Sequence, residues 1–462
     1  MSRPSPNRCA PKARARAGLR CGRLVLAVLA ALAALPSAAA DDRSQANAAS
    51  EAECPPFEAA PLGPPGSVQE PGISPADGDA AAGLPALPTV ASPASRARLG
   101  EALIAFPKRA DGKTPRDFEL APGARVASSY FSPILCSTIV RVVGPPGADV
   151  AALVRRTPTG TALVRNDVYR TAAAELRPIG ESPDPYRNLQ WGLDQTRAEA
   201  ARAVTNGAGA RVALLDSTPD VAHRDLAGIR VRTLDDGPAP RSAAHGSLLA
   251  GIVHATEHNG FGIAGIAPGA DLLSIPVCTP AGAGASDECQ LSDLLRGVDV
   301  AWEEKAQVVN LSLVGPPNPL LERAMDRLDQ LGVLLVAAVG NEATAEARYP
   351  AAYPSVIGVG AAERGGAPYA RGNRGKWVEV LAPGVEIVST VPGDSFSFGA
   401  GTSLAAAHVT AELALAVAAS GDPLAARTAF FQVAREKLGG AETPAPLPPI
   451  CDVLAKLGKP CP

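Results

Sequence analysis

Aromatic residues make up only 4% of this 462-residue chain, and its formal net charge is only −3. Near-neutrality removes any reason to expect nucleic acid or an anionic membrane surface as a partner. No Cys-x-x-Cys occurs and the five histidines stand apart from the cysteines, so a zinc-type metal site is a poor reading. The N-terminal apolar run, residues 24–35, is too short to span a bilayer comfortably. Alanine is abundant in most windows, so helical amphipathicity is weakly marked and strand patterns carry more information.

Residues 1–40 read as an export signal. Arg3, Arg8, Lys12, Arg14, Arg16, Arg20 and Arg23 form a basic head, and Pro36-Ser-Ala-Ala-Ala40 supplies small residues before a cut after Ala40. An uncleaved anchor is the alternative, disfavoured by the short apolar core. The product is expected in a periplasm or outside the cell, with no stable membrane insertion once the signal is gone. Six cysteines remain after it: Cys54, Cys136, Cys278, Cys289, Cys451 and Cys461. An even number in an exported chain suggests disulfides, with about fifteen full connectivities open. Nearness in sequence favours Cys278–Cys289 and Cys451–Cys461; Cys54–Cys136 follows by elimination.

Residues 41–96 are rich in Pro, Ala and Gly and read as a weakly ordered lead-in. A small α+β module is expected over 97–175. Its strands would be Ser137-Thr-Ile-Val-Arg-Val-Val143 and Thr161-Ala-Leu-Val-Arg-Asn-Asp-Val-Tyr169, with a short helix over 149–155 between them. Prolines break the pattern in a linker, 176–187. The large domain, 188–440, alternates strands with helices. Arg211-Val-Ala-Leu-Leu215 is a short apolar run typical of a buried parallel strand, and it ends at Asp216. Leu291, Leu294, Leu295, Val298, Ala301 and Trp302 recur at helical spacing. Further strands are expected at 308–313, 333–338, 356–359 and 378–381. This alternation predicts an α/β fold, a mostly parallel sheet with helices on both faces. Sites in such sheets form at the carboxyl ends of strands, where Asp216, Ser312 and Asn341 fall. A Pro-rich linker and a cysteine-containing tail occupy 441–462.

The stretch Ser397-Phe-Gly-Ala-Gly-Thr-Ser-Leu-Ala-Ala-Ala-His408 ends a small-residue loop and opens a long apolar helix. Ser403 stands at the helix N-terminus, where unpaired N–H groups and the positive dipole end favour a developing oxyanion. Alone, it would be an ordinary capping serine. Two further motifs accompany it: Asp216 in Leu214-Leu-Asp-Ser-Thr-Pro-Asp-Val-Ala-His-Arg-Asp-Leu226, and His245 in His-Gly-Ser-Leu-Leu-Ala-Gly251. Serine is a weak nucleophile and needs a base, and the base needs an orienting carboxylate. The order Asp, His, Ser is one of the known triad orders. His223, His254 and His258 lack the motif around His245, and His408 reads as a packing residue.

With these residues in view, the stretch 188–419 resembles the subtilisin-like serine peptidases. The resemblance implies an exported serine endopeptidase with Ser403 as nucleophile, His245 as general base and Asp216 orienting it. Asn341, in Ala338-Val-Gly-Asn-Glu342, would complete an oxyanion site. It further implies that Ser312, Leu313, Val314 and Gly315 pair with a substrate strand, with Ala338, Val339 and Gly340 as the opposite wall. The family usually has Gly where Val314 stands, so the pocket before the scissile bond should be narrowed or reshaped. Glu342 either favours basic side chains or is a solvated carboxylate. Ala407, Leu404 and Leu248 also depart from the usual pattern. Asn188-Leu-Gln-Trp-Gly-Leu-Asp194 resembles the segment that opens the mature enzyme, and the module before it resembles an inhibitory propeptide, cut within 172–185. The expected partners are polypeptide substrates and the chain's own propeptide-like segment. No cofactor is expected; calcium is common in the family, but Asp235-Asp236 and Asp287-Glu288 read as solvated turns. The rival readings are a catalytically silent binding domain and an esterase of the α/β-hydrolase class, whose Gly-x-Ser-x-Gly pattern Gly401-Thr-Ser-Leu-Ala405 does not meet.

Overall fold

The computed structural model describes residues 100–107, 118–157, 161–172, 177–178, 186–239, 241, 243–280, 286–438 and 444–462. The export signal and the lead-in of the sequence reading lie outside these residues. At the centre is an eight-stranded sheet whose neighbouring strands are all parallel. Across it run Arg230–Val231, Asp271–Pro276, Arg211–Asp216, Val308–Leu311, Leu334–Ala338, Ile357–Ala362, Val380–Pro383 and Ala445–Pro446. The two strands that follow Arg211–Asp216 in sequence lie to one side of it, and all later strands lie to the other. The order therefore reverses between Arg211–Asp216 and Val308–Leu311, which opens a crevice at their carboxyl ends.

Both faces of the sheet are covered, which is why its strands read as unbroken apolar runs. Val212 and Leu214 pack with the helices Ala244–His254 and Thr402–Ser420, while Ala213 and Leu215 pack with Leu291–Glu303 and Pro319–Gln330. Thr402–Ser420 is long and apolar enough to cross a membrane by composition, yet 89% of that stretch is buried inside the protein. A helix apolar on every side belongs in a core, and its alanines allow close approach to the sheet. It ends at Gly421, whose left-handed backbone (φ 72°) returns its N–H to the Val417 carbonyl.

Before the large sheet comes an antiparallel one, ordered Arg125–Ser132, Ser137–Val143, Glu101–Pro107, Ala162–Arg165. The stretch expected as a helix over 149–155 is instead a 3-10 turn, Val150–Leu153, running into the strand Val154–Arg156. One turn makes too few hydrogen bonds to offset helix nucleation, and β-branched Val154 favours the extended form. This sheet rests on helix Leu291–Glu303, where Ser132 Oγ and the Ile134 N–H donate to Asp299 Oδ1 at 2.8 and 3.2 Å.

The proline-rich stretch read as a linker supplies the eighth strand. Ala445 N–H donates to the Glu379 carbonyl and Leu447 N–H to that of Leu381. Pro446 has no N–H, which an edge position tolerates. The tail then forms the helix Ile450–Lys456 rather than a plain loop. Cys278–Cys289 and Cys451–Cys461 are bonded. Cys136 is disulfide-bonded as well, and Cys54, its expected partner, lies outside the described residues.

Candidate active site

Asp216 ends the strand Arg211–Asp216, His245 is the second residue of helix Ala244–His254, and Ser403 is the second residue of Thr402–Ser420. The sheet crevice brings the three together. His245 Nδ1–H donates to Asp216 Oδ1 at 2.8 Å, and the same oxygen accepts from the Ser217 N–H at 2.8 Å and from Ser217 Oγ at 3.1 Å. Ser403 Oγ donates to the Ala172 carbonyl at 2.7 Å, and His245 Nε2 meets that same oxygen at 3.2 Å. All three side chains are buried. Burial alone would lower the His245 pKa. The Asp216 carboxylate and its hydrogen bond, the Asp287 charge and the Ala172 carbonyl outweigh it and hold the imidazole above its usual value.

The start of the serine helix is tied down from two strands. Asn341 Oδ1 accepts from the Thr402 N–H at 3.0 Å, and the Gly340 N–H donates to Thr402 Oγ1 at 3.1 Å. From the other side, Ser312 Oγ donates to Asn310 Oδ1 at 2.8 Å and lies 3.2 Å from the Ser403 carbonyl, while Asn310 Nδ2 donates to Thr410 Oγ1 at 2.9 Å. Gly340 has a left-handed backbone (φ 101°), and a methyl there would meet Val314 Cγ1 at 3.3 Å. Side chains other than hydrogen are strained in that conformation. Asn373, which sequence reading missed, fastens this wall: its Nδ2 donates to the Val339 carbonyl at 2.8 Å and to Glu342 Oε2 at 2.6 Å. Glu342 is thus a half-buried carboxylate with one oxygen held by the Asn373 amide. Asn373 carries no local sequence signal, because its partners are distant in the chain.

The cleft is filled by the chain itself. Val168–Thr171 lies antiparallel between Glu288–Gln290 and Leu313–Val314, with Thr171 opposite Leu313 and Arg170 opposite Val314. The Ala172 N–H donates to the Ser312 carbonyl at 3.1 Å, which brings the Ala172 carbonyl to Ser403. Arg170 pairs with Glu288 at 3.1 Å. Thr171 N–H donates to the Asp287 carbonyl and Thr171 Oγ1 accepts from the Asp287 N–H. Asp287 and Glu288, read as a solvated turn, therefore border this strand, and Asp287 is buried. The disulfide Cys278–Cys289 braces the same edge. Asp235 and Asp236 face Arg296 at 3.6 and 3.8 Å. Among the described residues no three His, Cys, Asp or Glu side chains converge on one point.

Of the other histidines, His223 is held through Nδ1 by the Asp225 N–H and through Nε2 by the Ser395 carbonyl. His408 bonds the Leu404 carbonyl at 2.8 Å, and burial lowers its pKa to about 4.

Fold and site together define an α/β protein with an Asp–His–Ser cleft at a topological switch point. A sequence model of the Subtilase family matches residues 207–434. The Thermophilic serine proteinase of Bacillus sp. (strain AK1) is 34% identical over 264 residues, covering 56% of this chain and 64% of that protein. Subtilisin E of Bacillus subtilis (strain 168) is 33% identical over 238 residues, 50% of this chain and 61% of that one. Subtilisin Savinase of Lederbergia lenta is 34% identical over 235 residues, 50% and 84% respectively. The chain belongs to the subtilase family, and it spans just under two thirds of the length of the first two relatives.

Proposed function

We propose that the chain is an exported serine endopeptidase, made as a zymogen whose N-terminal module occupies the cleft until the enzyme cuts after Ala172. The observation that carries this reading is the Ala172 carbonyl, held at once by Ser403 Oγ and His245 Nε2 at the end of a strand paired with Leu313–Val314. A peptide laid as an added strand is bound through its backbone and selected through its side chains. Ser403 Oγ attacks the carbonyl carbon of Ala172 after giving its proton to His245. The Asp216 carboxylate stabilises the imidazolium so formed. The negative charge that develops on the Ala172 oxygen is met by the Ser403 N–H at the helix N-terminus and by the Asn341 amide. His245 then protonates the departing amine of Ala173, and water hydrolyses the acyl-enzyme. Other polypeptides follow the same route once the segment before Ala173 has left. The export signal over 1–40 and the paired cysteines fit a periplasmic or extracellular site of action.

Purified wild type and Ser403→Ala are followed by intact mass and N-terminal sequencing. Wild type is expected to yield a new N-terminus Ala173-Ala-Glu-Leu while the variant stays whole. If both remain whole, and no fluorophosphonate label reaches Ser403, the endopeptidase reading is wrong.

A further inference from the structure

We propose that the cleft selects peptides with tyrosine at the fourth position before the cut, and that it reads the phenol hydroxyl as well as the ring. This rests on the endopeptidase reading above, with Ala172 as the residue before the cut and Tyr169 as the fourth. Tyr169 has no exposed surface. Its hydroxyl donates to the Pro316 carbonyl at 3.0 Å, and burial raises its pKa, with the neighbouring Tyr353 phenol adding to the rise. Tyr353 is itself fixed: it accepts from the Asn318 N–H at 2.9 Å and donates to the Asn318 carbonyl at 3.0 Å. The partner of the phenol, the Pro316 carbonyl, is thus on the mature-domain side, and the neighbouring Tyr353 is held there by Asn318.

The floor of the pocket is Gly315, where a side-chain methyl would collide with the Tyr169 ring. Gly315 has no left-handed backbone, so close approach of the ring, not chain conformation, is what asks for glycine there. Beside the cut, a methyl added at Gly340 would come within 3.3 Å of Val314 Cγ1, and the residue before the cut is alanine. Arg170 meets Glu288 in a partly exposed pair, which selects weakly. The tyrosine pocket is therefore where most side-chain discrimination resides. Phenylalanine would fill it and leave the part-buried Pro316 carbonyl without its donor. A site built to bond a hydroxyl rejects the analogue lacking it far more strongly than an apolar pocket rejects a lost methylene.

The test uses wild-type full-length protein incubated until cleaved, with the peptides acyl-Xaa-Arg-Thr-Ala-p-nitroanilide, where Xaa is Tyr, Phe, Leu or Ala. The expected kcat/KM for Tyr exceeds that for Phe by about tenfold or more and that for Ala by about a hundredfold or more. In Gly315→Ala the Tyr-over-Ala ratio falls by about tenfold or more, since the new methyl displaces the ring. Equal rates for Tyr and Phe, or an unchanged Tyr-over-Ala ratio in the variant, overturn the proposal. Fluorophosphonate labelling of the same sample separates the two readings. A labelled Ser403 with a flat fourth-position profile sinks this inference alone; no label and no cleavage of any peptide sinks both.

Discussion

Asp299 should make the hold of the N-terminal module on the large domain weaken as pH rises. The carboxyl is buried between helix Leu291–Glu303 and the Ser132–Ile134 loop, and this burial pushes its pKa up to about 8, with Glu303 adding to the rise and the Ser132 and Ile134 bonds and Arg296 opposing it. Asp293 and the Tyr130 phenol also face this junction, and Arg296 lies over the Tyr130 ring. Asp299 Oδ2 is buried with no hydrogen-bond partner among the described residues. Exposed in an unfolded or separated chain, the same group titrates near 4, as a carboxyl in water does. The sign follows: the assembled state binds the proton more tightly, so assembly is favoured below about pH 4 and is penalised progressively as pH climbs to about pH 8. Each pH unit in that window costs at most about 1.4 kcal/mol, and water entering the junction reduces it. The assay is urea unfolding of full-length Ser403→Ala with and without Asp299→Asn, which keeps the acceptor but cannot ionise. The Asn variant should gain about 1 kcal/mol relative to its parent for each unit between about pH 5 and about pH 7. Parallel stability curves would show that Asp299 titrates normally in the assembled protein and refute the reasoning.

Three further outcomes follow from the same geometry. Val314→Gly opens the wall beside Ala172, so kcat/KM for peptides with Leu or Phe before the cut should rise by about tenfold relative to Ala, read on matched peptides. Asn341→Ala should lower kcat by the roughly 10²–10³-fold that losing one oxyanion donor costs in related enzymes, with KM little changed. Glu412 is fully buried in helix Thr402–Ser420 with neither carboxylate oxygen bonded among the described residues, and burial raises its pKa well above normal. Glu412→Met should therefore raise thermal stability by about 1–3 kcal/mol at neutral pH, with a gain that shrinks in acid as the native glutamate is protonated in both states.

The sheet was legible because its strands are buried on both faces and announce themselves as short apolar runs. Leu334–Ala338 and Val308–Leu311 lie where such runs were read, and Leu291–Glu303 lies where apolar residues recur at helical spacing. The strand Arg125–Ser132 was not read, because exposed Arg125, Val126 and Ala127 break the alternation that marks a half-buried strand. Ala445–Pro446 was taken for linker because proline argues against a central strand, and only its place at the sheet edge removes the objection.

For the candidate site, the sequence by itself determined which residue types could act. A serine at the mouth of an apolar helix, a histidine opening another and an aspartate ending a buried strand are local patterns set by capping, periodicity and burial. Their meeting was decided by the tertiary structure, because it depends on where the strand order reverses between Arg211–Asp216 and Val308–Leu311. So was the seating of Ala172 on Ser403 across a separation of 231 residues, the bracing of the wall by Asn373, and the pocket that Gly315, Pro316 and Tyr353 form around Tyr169. Side chains far apart in sequence carry no mutual pattern that propensity or periodicity can reveal. Hydrogen bonds between them exist only once packing has excluded water and set their distances.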